Sequence, residues 1–353
     1  MDFELSDDQV ALRDAACALL DGRAAPTQVR AVVDAGGGID GALWSAMVDQ
    51  GWTALAVPED RGGLGLGIVE LALLLEEVGG HVAPAPVLQQ ALALDALVAG
   101  NGPADLIDPL VAGEAVGTVA FSPVSVDAVG RVTGRPEPVI HAPSARALVV
   151  RTEDELFAVD LEAVDIRPAA EPAMDRTRAL GWVRLDATPA VRLGGAEAVE
   201  RFIDLGAVGH SAELLGASAR VLDLAVEYAK ERVQFGRPIG SFQAVKHRCA
   251  DMLVDVEGMR SAVYHAAWAL GAGDPDRSVA ASTAKTWCSD ASRRVMASGL
   301  QVHGGIGFTW EHDLHLFVKR AQLDGVSFGD ATWHRDRLGR LLRARVEAGL
   351  PLL

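Results

Sequence analysis

Cysteine is scarce in this sequence. Cys17, Cys249 and Cys288 lack metal-ligand spacing and cannot all pair within one chain. Each sits in an amphipathic helical pattern, which predicts small buried apolar residues in a reducing compartment. Basic residues are also outnumbered. Lys and Arg total 32 against 48 Asp and Glu, giving a formal net charge of −16 at pH 7. That balance argues against a nucleic-acid partner, although local Arg residues and helix ends can still hold a phosphorylated cofactor. The opening MDFELSDDQ has no cationic signal region, and no unbroken apolar run reaches the roughly 18 residues of a membrane span. No membrane partner is therefore expected, and the chain reads as cytoplasmic. No short-period repeat or low-complexity tract occurs.

What is present is a long, apolar chain. Its 353 residues suffice for two or three packed layers. Half of them are hydrophobic, which raises the expectation of buried subunit contacts. Residues 1–115 read as helical. Ser6 is placed to cap a helix whose first turn is acidic, and Val10, Leu12, Ala16 and Leu19 recur at helical spacing. The loop AVPEDRGGLGLG follows, then the helix VELALLLEEVGG with Gly79 and Gly80 as its stop. Another helix begins near Pro84 and Pro86 and ends near Gly100. Residues 116–196 change texture. Short apolar runs (GTVAF, RALVVRT, ELFAVDL, GWVRLD, AVRLG) are bounded by turn formers and predict about six or seven strands. Residues 197–353 return to helix, with a run from Ala196 to Phe235 and further helices starting near Phe242, Asp276, Glu311 and Asp330. Gly206, Gly209 and Gly216 lie within the first of these. A helical glycine costs roughly 1 kcal/mol, so close helix packing is expected there. The order helical, β, helical is an α+β chain whose last part has the lengths of a four-helix bundle.

Two stretches carry candidate chemistry. RVQFGRPIGSFQAVKHRCADM runs from Arg232 to Met252, and QVHGGIGF from Gln301 to Phe308. The Arg232 guanidinium suits a diphosphate, and Gln243 can bond a ribose or phosphate oxygen. Gly304, Gly305 and Gly307 let backbone N–H groups approach a phosphate or adenosine. The plainer alternative makes the glycine pair a helix C-cap and Arg232 a solvated helix-end cation.

These stretches resemble the flavin-binding signatures of acyl-CoA dehydrogenases. The segments MDFELSDDQVALRD, GWTALAVPEDRGGLGLGIVELALLLEEVGG and QVHGGIGFTWEHDLHLFVKRAQ are similar to that family as well. The resemblance covers roughly 1–100 and 197–345. It implies an N-terminal helical domain (1–115), a reduced middle β-domain (116–196) and a C-terminal four-helix bundle (197–353). It also implies FAD at a subunit interface, with Arg232, Phe235, Gln243, Gln301, Gly304 and Gly305 on its diphosphate and adenine end.

The chain departs from the family pattern where the reaction occurs. The segments that line the isoalloxazine and thioester in the family are replaced by TVAFSPVSVDA and HAPSARALVV. The family's base is a Glu, whose two known places fall here on Phe328 and Gly206. Neither can take a proton from carbon. Asp324 and Asp330 are displaced-base candidates, with Asp330 better suited to capping a helix. These departures resemble the smaller subunit of heteromeric (α2β2) actinobacterial steroid-CoA dehydrogenases. That likeness implies a homologous catalytic partner subunit, a bulky steroid side-chain or fatty acyl-CoA substrate, and an electron-transfer flavoprotein as an electron acceptor. Two further readings stand beside it. One is a self-sufficient homo-oligomer with a displaced base, and the other a non-redox acyl-CoA-binding scaffold. In SFGDATWHRDRL, His334, Arg335 and Arg337 read as a solvated or inter-subunit polar face, with a cofactor phosphate as the alternative. His247, His265, His303, His312, His315 and His334 make no metal triad, so no metal is expected. Trp268, Trp287 and Trp310 read as core or interface packing.

Overall fold

The computed structural model describes residues 4–349 and Pro351. Met1–Phe3, the first residues of the family-like opening segment, lie outside this range. Among the described residues, six helices come first: α1 (Asp7–Arg23), α2 (Pro26–Asp34), α3 (Gly41–Asp49), α4 (Ile68–Gly80), α5 (Val87–Ala99) and α6 (Ala104–Val111). Ten short strands follow: β1 (Val116–Val119), β2 (Ser125–Val126), β3 (Arg131–Gly134), β4 (Val139–Ile140), β5 (Ala145–Arg151), β6 (Leu156–Asp160), β7 (Ala170–Glu171), β8 (Leu180–Gly181), β9 (Leu185–Pro189) and β10 (Val191–Gly194). Then come α7 (Ala196–Glu231), the hairpin β11 (Val233–Gln234) and β12 (Arg237–Pro238), α8 (Gln243–Gly271), α9 (Arg277–His303), α10 (Leu314–Val326) and α11 (Ala331–Glu347). No helix among the described residues is long and apolar enough to cross a membrane.

Contacts divide the chain into two compact units. One comprises Thr27–Leu71 and Pro84–Gly206. Its main sheet has the order β1-β5-β6-β10, with β1 parallel to β5 and the other pairs antiparallel. The run Ala147–Arg151 in β5 is buried at every position, which is the signature of a strand covered on both faces. Helix α5 packs on β1 and β5. Gly117 permits this approach, because a Cβ there would lie 2.7 Å from Ala93 Cβ. Buried Gln90 joins the two elements, donating to Leu110 O (2.7 Å) and accepting from Gly117 N (2.6 Å). The smaller sheets β2-β3-β9 and β4-β8-β7 close over a core that includes Val132, Leu148, Val150, Phe157, Val159 and Leu185. The expected six or seven strands are thus ten. The excess comes from four ladders only two residues long, β2, β4, β7 and β8, three of which lie outside the apolar runs.

The other unit comprises Met1–Pro26, Ala72–Ala83 and Ala207–Leu353. Helix α1 starts with the expected cap: Ser6 Oγ accepts from Gln9 N (3.2 Å), and Gln9 returns a bond to Ser6 N (3.0 Å). Helix α9 packs on α8, α10 and α11. Its buried face is built of small residues, including Ala281, Ala284, Cys288, Ala291 and Ser292, so helices approach closely. Helix α4 ends on the Gly79–Gly80 pair, as expected, and the glycines there have a second role. That role is packing, since a Cβ on Gly79 would fall 2.1 Å from Glu213 O and one on Gly216 would fall 1.7 Å from Glu76 O. The backbones of α4 and α7 touch here with no side chain between them. Gly216→Ala or Gly79→Ala is expected to cost about 1–3 kcal/mol, read as a lower denaturant midpoint at unchanged slope. A wild-type midpoint in both variants would contradict the contact.

Candidate cofactor-binding face and catalytic positions

Arg232 follows the last residue of α7, where its N–H still bonds Tyr228 O (2.9 Å). The chain then folds back through β11 and β12, and Ile239 N returns to Arg232 O (2.8 Å). Phe235 at the hairpin tip takes φ 53 and is 91% exposed. Its ring meets Phe242 edge-on at 6.1 Å, and Arg237 covers the same Phe242 at 4.2 Å. Gln243 is the exposed first residue of α8.

The second stretch begins with exposed Gln301 in the last turn of α9. Gly304 ends that helix with φ 62 and ψ −139, a conformation open to glycine. A Cβ built on Gly304 or Gly305 would meet nothing within 4 Å, so both present bare backbone to open space. Beside them the ends of α7 and α9 meet through rings: Tyr228 stacks on His303 at 4.8 Å, and His303 meets His312 at 4.5 Å. All six expected residues are therefore surface groups of one unit. An exposed guanidinium, two amides and an unshielded glycine backbone suit the diphosphate–adenine end of FAD. Around them Val233, Phe235, Phe308 and Trp310 leave large apolar surface uncovered. Trp310, at 67% exposure, is no core residue, and Trp268 and Trp287 are partly exposed too. The core half of that expectation is corrected, because these rings stay partly open even where Arg294 lies over Trp287 and Lys319 over Trp310.

The two base positions hold no carboxylate. Phe328 is buried, with φ 55 and its ring 5.5 Å from that of His210. Gly206 lies within α7. Next to Leu205 a cavity of about 230 Å³ opens in the other unit, lined by Trp52, Leu55, Ile68 and Leu94. Its one acid, Asp95, is gripped by both Arg201 Nε (3.0 Å) and Nη2 (2.5 Å). Asp324 is fully buried, its Oδ1 3.2 Å from His210 Nδ1. Asp330 caps α11, accepting from Trp333 N (2.8 Å). It also borders a cavity of about 120 Å³ with Ser289, Arg293 and Gln322, room for a few waters but not for an acyl chain.

Sequence reasoning missed a polar network inside this unit. Lys285 is fully buried and donates to Ser289 Oγ (3.1 Å), Asp324 O (3.0 Å) and Gly325 O (2.9 Å). Burial lowers its ammonium to about 8, opposed by Asp324. Arg320 lies 3.8 Å from Glu213 and also donates to Ala83 O (3.3 Å). His334 Nε2 bonds Phe328 O (2.9 Å), and Arg337 donates to Ser282 Oγ (3.1 Å). His334 and Arg337 are buried, so the solvated reading of that face is corrected, while Arg335 pairs with Asp290 at the surface. The helical period could have flagged this, since His334 and Arg337 are one turn apart on the face of buried Ala331. The cysteines are corrected likewise: Cys288 is buried, but Cys17 and Cys249 are only half-buried.

Burial pushes the His334 imidazole down to about 3, so it is neutral in the folded chain. The unfolded chain binds a proton at this residue between about 3 and 6.5 that the folded chain does not. Its contribution to stability is therefore present above pH 6.5 and lost as pH falls toward 3, by a few kcal/mol at most. Urea titrations at pH 7 and pH 4.5 should show this loss, and His334→Gln should flatten it. An unchanged pH slope in the variant would refute the assignment.

Comparison with known proteins agrees with this layout. The model described as acyl-CoA dehydrogenase, C-terminal domain, matches residues 194–342, and that of the N-terminal domain matches residues 6–105. The acyl-CoA dehydrogenase IpdE2 of Mycolicibacterium smegmatis is 36% identical, over 96% of this chain and 98% of its own length. A chain of the ChsE4–ChsE5 complex from Mycobacterium tuberculosis superposes with TM-score 0.90 at 30% identity, covering 97% of this chain and 99% of that one. A chain of the Tcur3481–Tcur3483 steroid ACAD gives 0.89 at 30% identity with the same coverage.

Proposed function

This chain belongs to the acyl-CoA dehydrogenase family, and on that premise we propose that it is the non-catalytic subunit of a heteromeric, FAD-dependent enzyme that desaturates an acyl-CoA thioester between its α and β carbons. The observation that carries this reading is the chemistry of the two base positions. The reaction removes a proton from the carbon next to the thioester, which requires a carboxylate beside it. A buried phenyl ring at Phe328 and a bare backbone at Gly206 cannot serve. Asp324, enclosed and bonded to His210, and Asp330, engaged as a helix cap, support a base supplied by the partner.

FAD, when bound, supplies the hydride acceptor. Arg232, Gln243, Gln301 and the backbone of Gly304 and Gly305 would hold its diphosphate and adenine end, and Phe235 would be covered by the neighbouring subunit. The exposed apolar surface around these residues supports a subunit contact. In this reading residues 1–115 and 197–353 build the helical scaffold, and the reduced β-domain, 116–196, leaves the reactive half of the flavin to the partner. Similarity to the ChsE4–ChsE5 complex and to a steroid ACAD supports a heteromer acting on a steroid-derived acyl-CoA; a bulky side-chain thioester and a cytoplasmic location are part of the same proposal. Electron-transfer flavoprotein is the proposed electron acceptor.

Two variants test the division of labour in the complex with its catalytic partner. Arg232→Ala should lower flavin content about tenfold or more, because a charge-assisted contact to diphosphate is lost. Asp330→Asn keeps the helix cap and removes the carboxylate, so turnover should stay within about twofold. A loss of about a hundredfold or more in Asp330→Asn would instead identify Asp330 as this chain's own base.

A further inference from the structure

We propose that Cys17, Glu77 and His81, with Asp21 beside them, form a binding site for a divalent cation of the zinc class that ties α1 to the end of α4. The site is independent of the flavin-binding face and of the base positions.

The spacing comes first. Cys17 and Asp21 are four apart on α1, and Glu77 in the last turn of α4 is four before His81, which follows the helix with its N–H still bonded to Glu77 O (3.1 Å). Each pair puts two donors on one face of its helix, one turn apart. The fold then turns these faces toward each other. The Cys17 sulfur, a Glu77 carboxylate oxygen and a His81 ring nitrogen all lie within 4.8 Å of one another. Asp21 Oδ1 is 3.1 Å from His81 Nε2, and Oδ2 is 3.8 Å from Cys17 Sγ. Tetrahedral zinc, with bonds of about 2.0–2.3 Å, separates its ligand atoms by about 3.3–3.8 Å, so small side-chain rotations suffice.

The imidazole is already set as in a metal ligand. His81 Nδ1 lies 2.9 Å from Glu77 O, and donating to that carbonyl leaves Nε2 to face the site. The side chains of Glu77 and His81 are only 18% and 17% exposed, whereas Asp21 is 72% exposed and leaves an edge for water. A sulfur, a nitrogen and carboxylate oxygens together favour zinc over calcium or magnesium. Without a cation the thiol keeps its proton, pushed up to about 11 by burial and by Glu77 and Asp21. On binding, the S–H proton passes to water and a sulfur–metal bond takes its place, with no change of oxidation state.

The test uses the full-length chain, stripped with a chelator and then given one equivalent of Zn(II) or Co(II). The expected result is one metal per chain by native mass spectrometry, a sulfur-to-cobalt charge-transfer band and a raised melting temperature. Cys17→Ser should lose that band and bind about tenfold or more weakly, while its circular dichroism stays that of wild type. His81→Gln should weaken binding similarly. The proposal is overturned if the wild-type chain retains no metal after desalting, or if both variants bind as tightly as wild type.

Discussion

The unit that holds α1 and α8–α11 is organised around one bare contact, the crossing of α4 and α7 at Gly79 and Gly216. Neither position has room for a methyl group, because the carbonyl oxygens of Glu213 and Glu76 occupy the space. That contact fixes the end of α4 against α7, and the side chains on either side of it follow. Glu76 receives Arg260 and the Tyr264 hydroxyl, each at 2.5 Å, from α8. Glu77 and His81 are turned toward α1. The chain after the helix puts the Ala83 carbonyl within reach of Arg320 on α10.

Around this frame the unit buries an unusual amount of charge. Lys285, Asp324, Arg320, Glu213 and Arg337 all lie inside it. Isolated charges in such a setting are costly, and pairing within a shared network offsets part of that cost. Several of these contacts end on the turn that carries Phe328: Lys285 holds the carbonyls of Asp324 and Gly325, and His334 holds that of Phe328. The turn on which the family resemblance would place a catalytic acid is thus fixed in place, and it carries a buried phenyl ring. A shape kept without an acid supports the proposed role of completing a partner's active site.

Much of this was legible in the sequence. Long helical periods and the Ser6 cap marked the helices, and short apolar runs marked the β region. The glycines of α7 pointed to close packing, and the motifs around Arg232 and Gln301 pointed to the family. What stayed hidden were relations between distant positions. Asp95 and Arg201, or Cys17 and His81, are ordinary helix residues until the fold brings them together. The buried polar network misled for the same reason, since His334 and Arg337 look solvated unless the partners that satisfy them are known. Strand number also escaped, because ladders of two residues carry almost no periodicity.

The central claim is that this chain holds only part of a flavin site. The direct measurement is the ratio of FAD to protein, from visible absorbance and protein mass, for the chain purified alone and for the chain co-purified with its catalytic partner. The account predicts a nearly colourless protein alone and a stoichiometric flavin complex with the partner. A chain that carries close to one FAD by itself, and oxidises an acyl-CoA in that state, would contradict it.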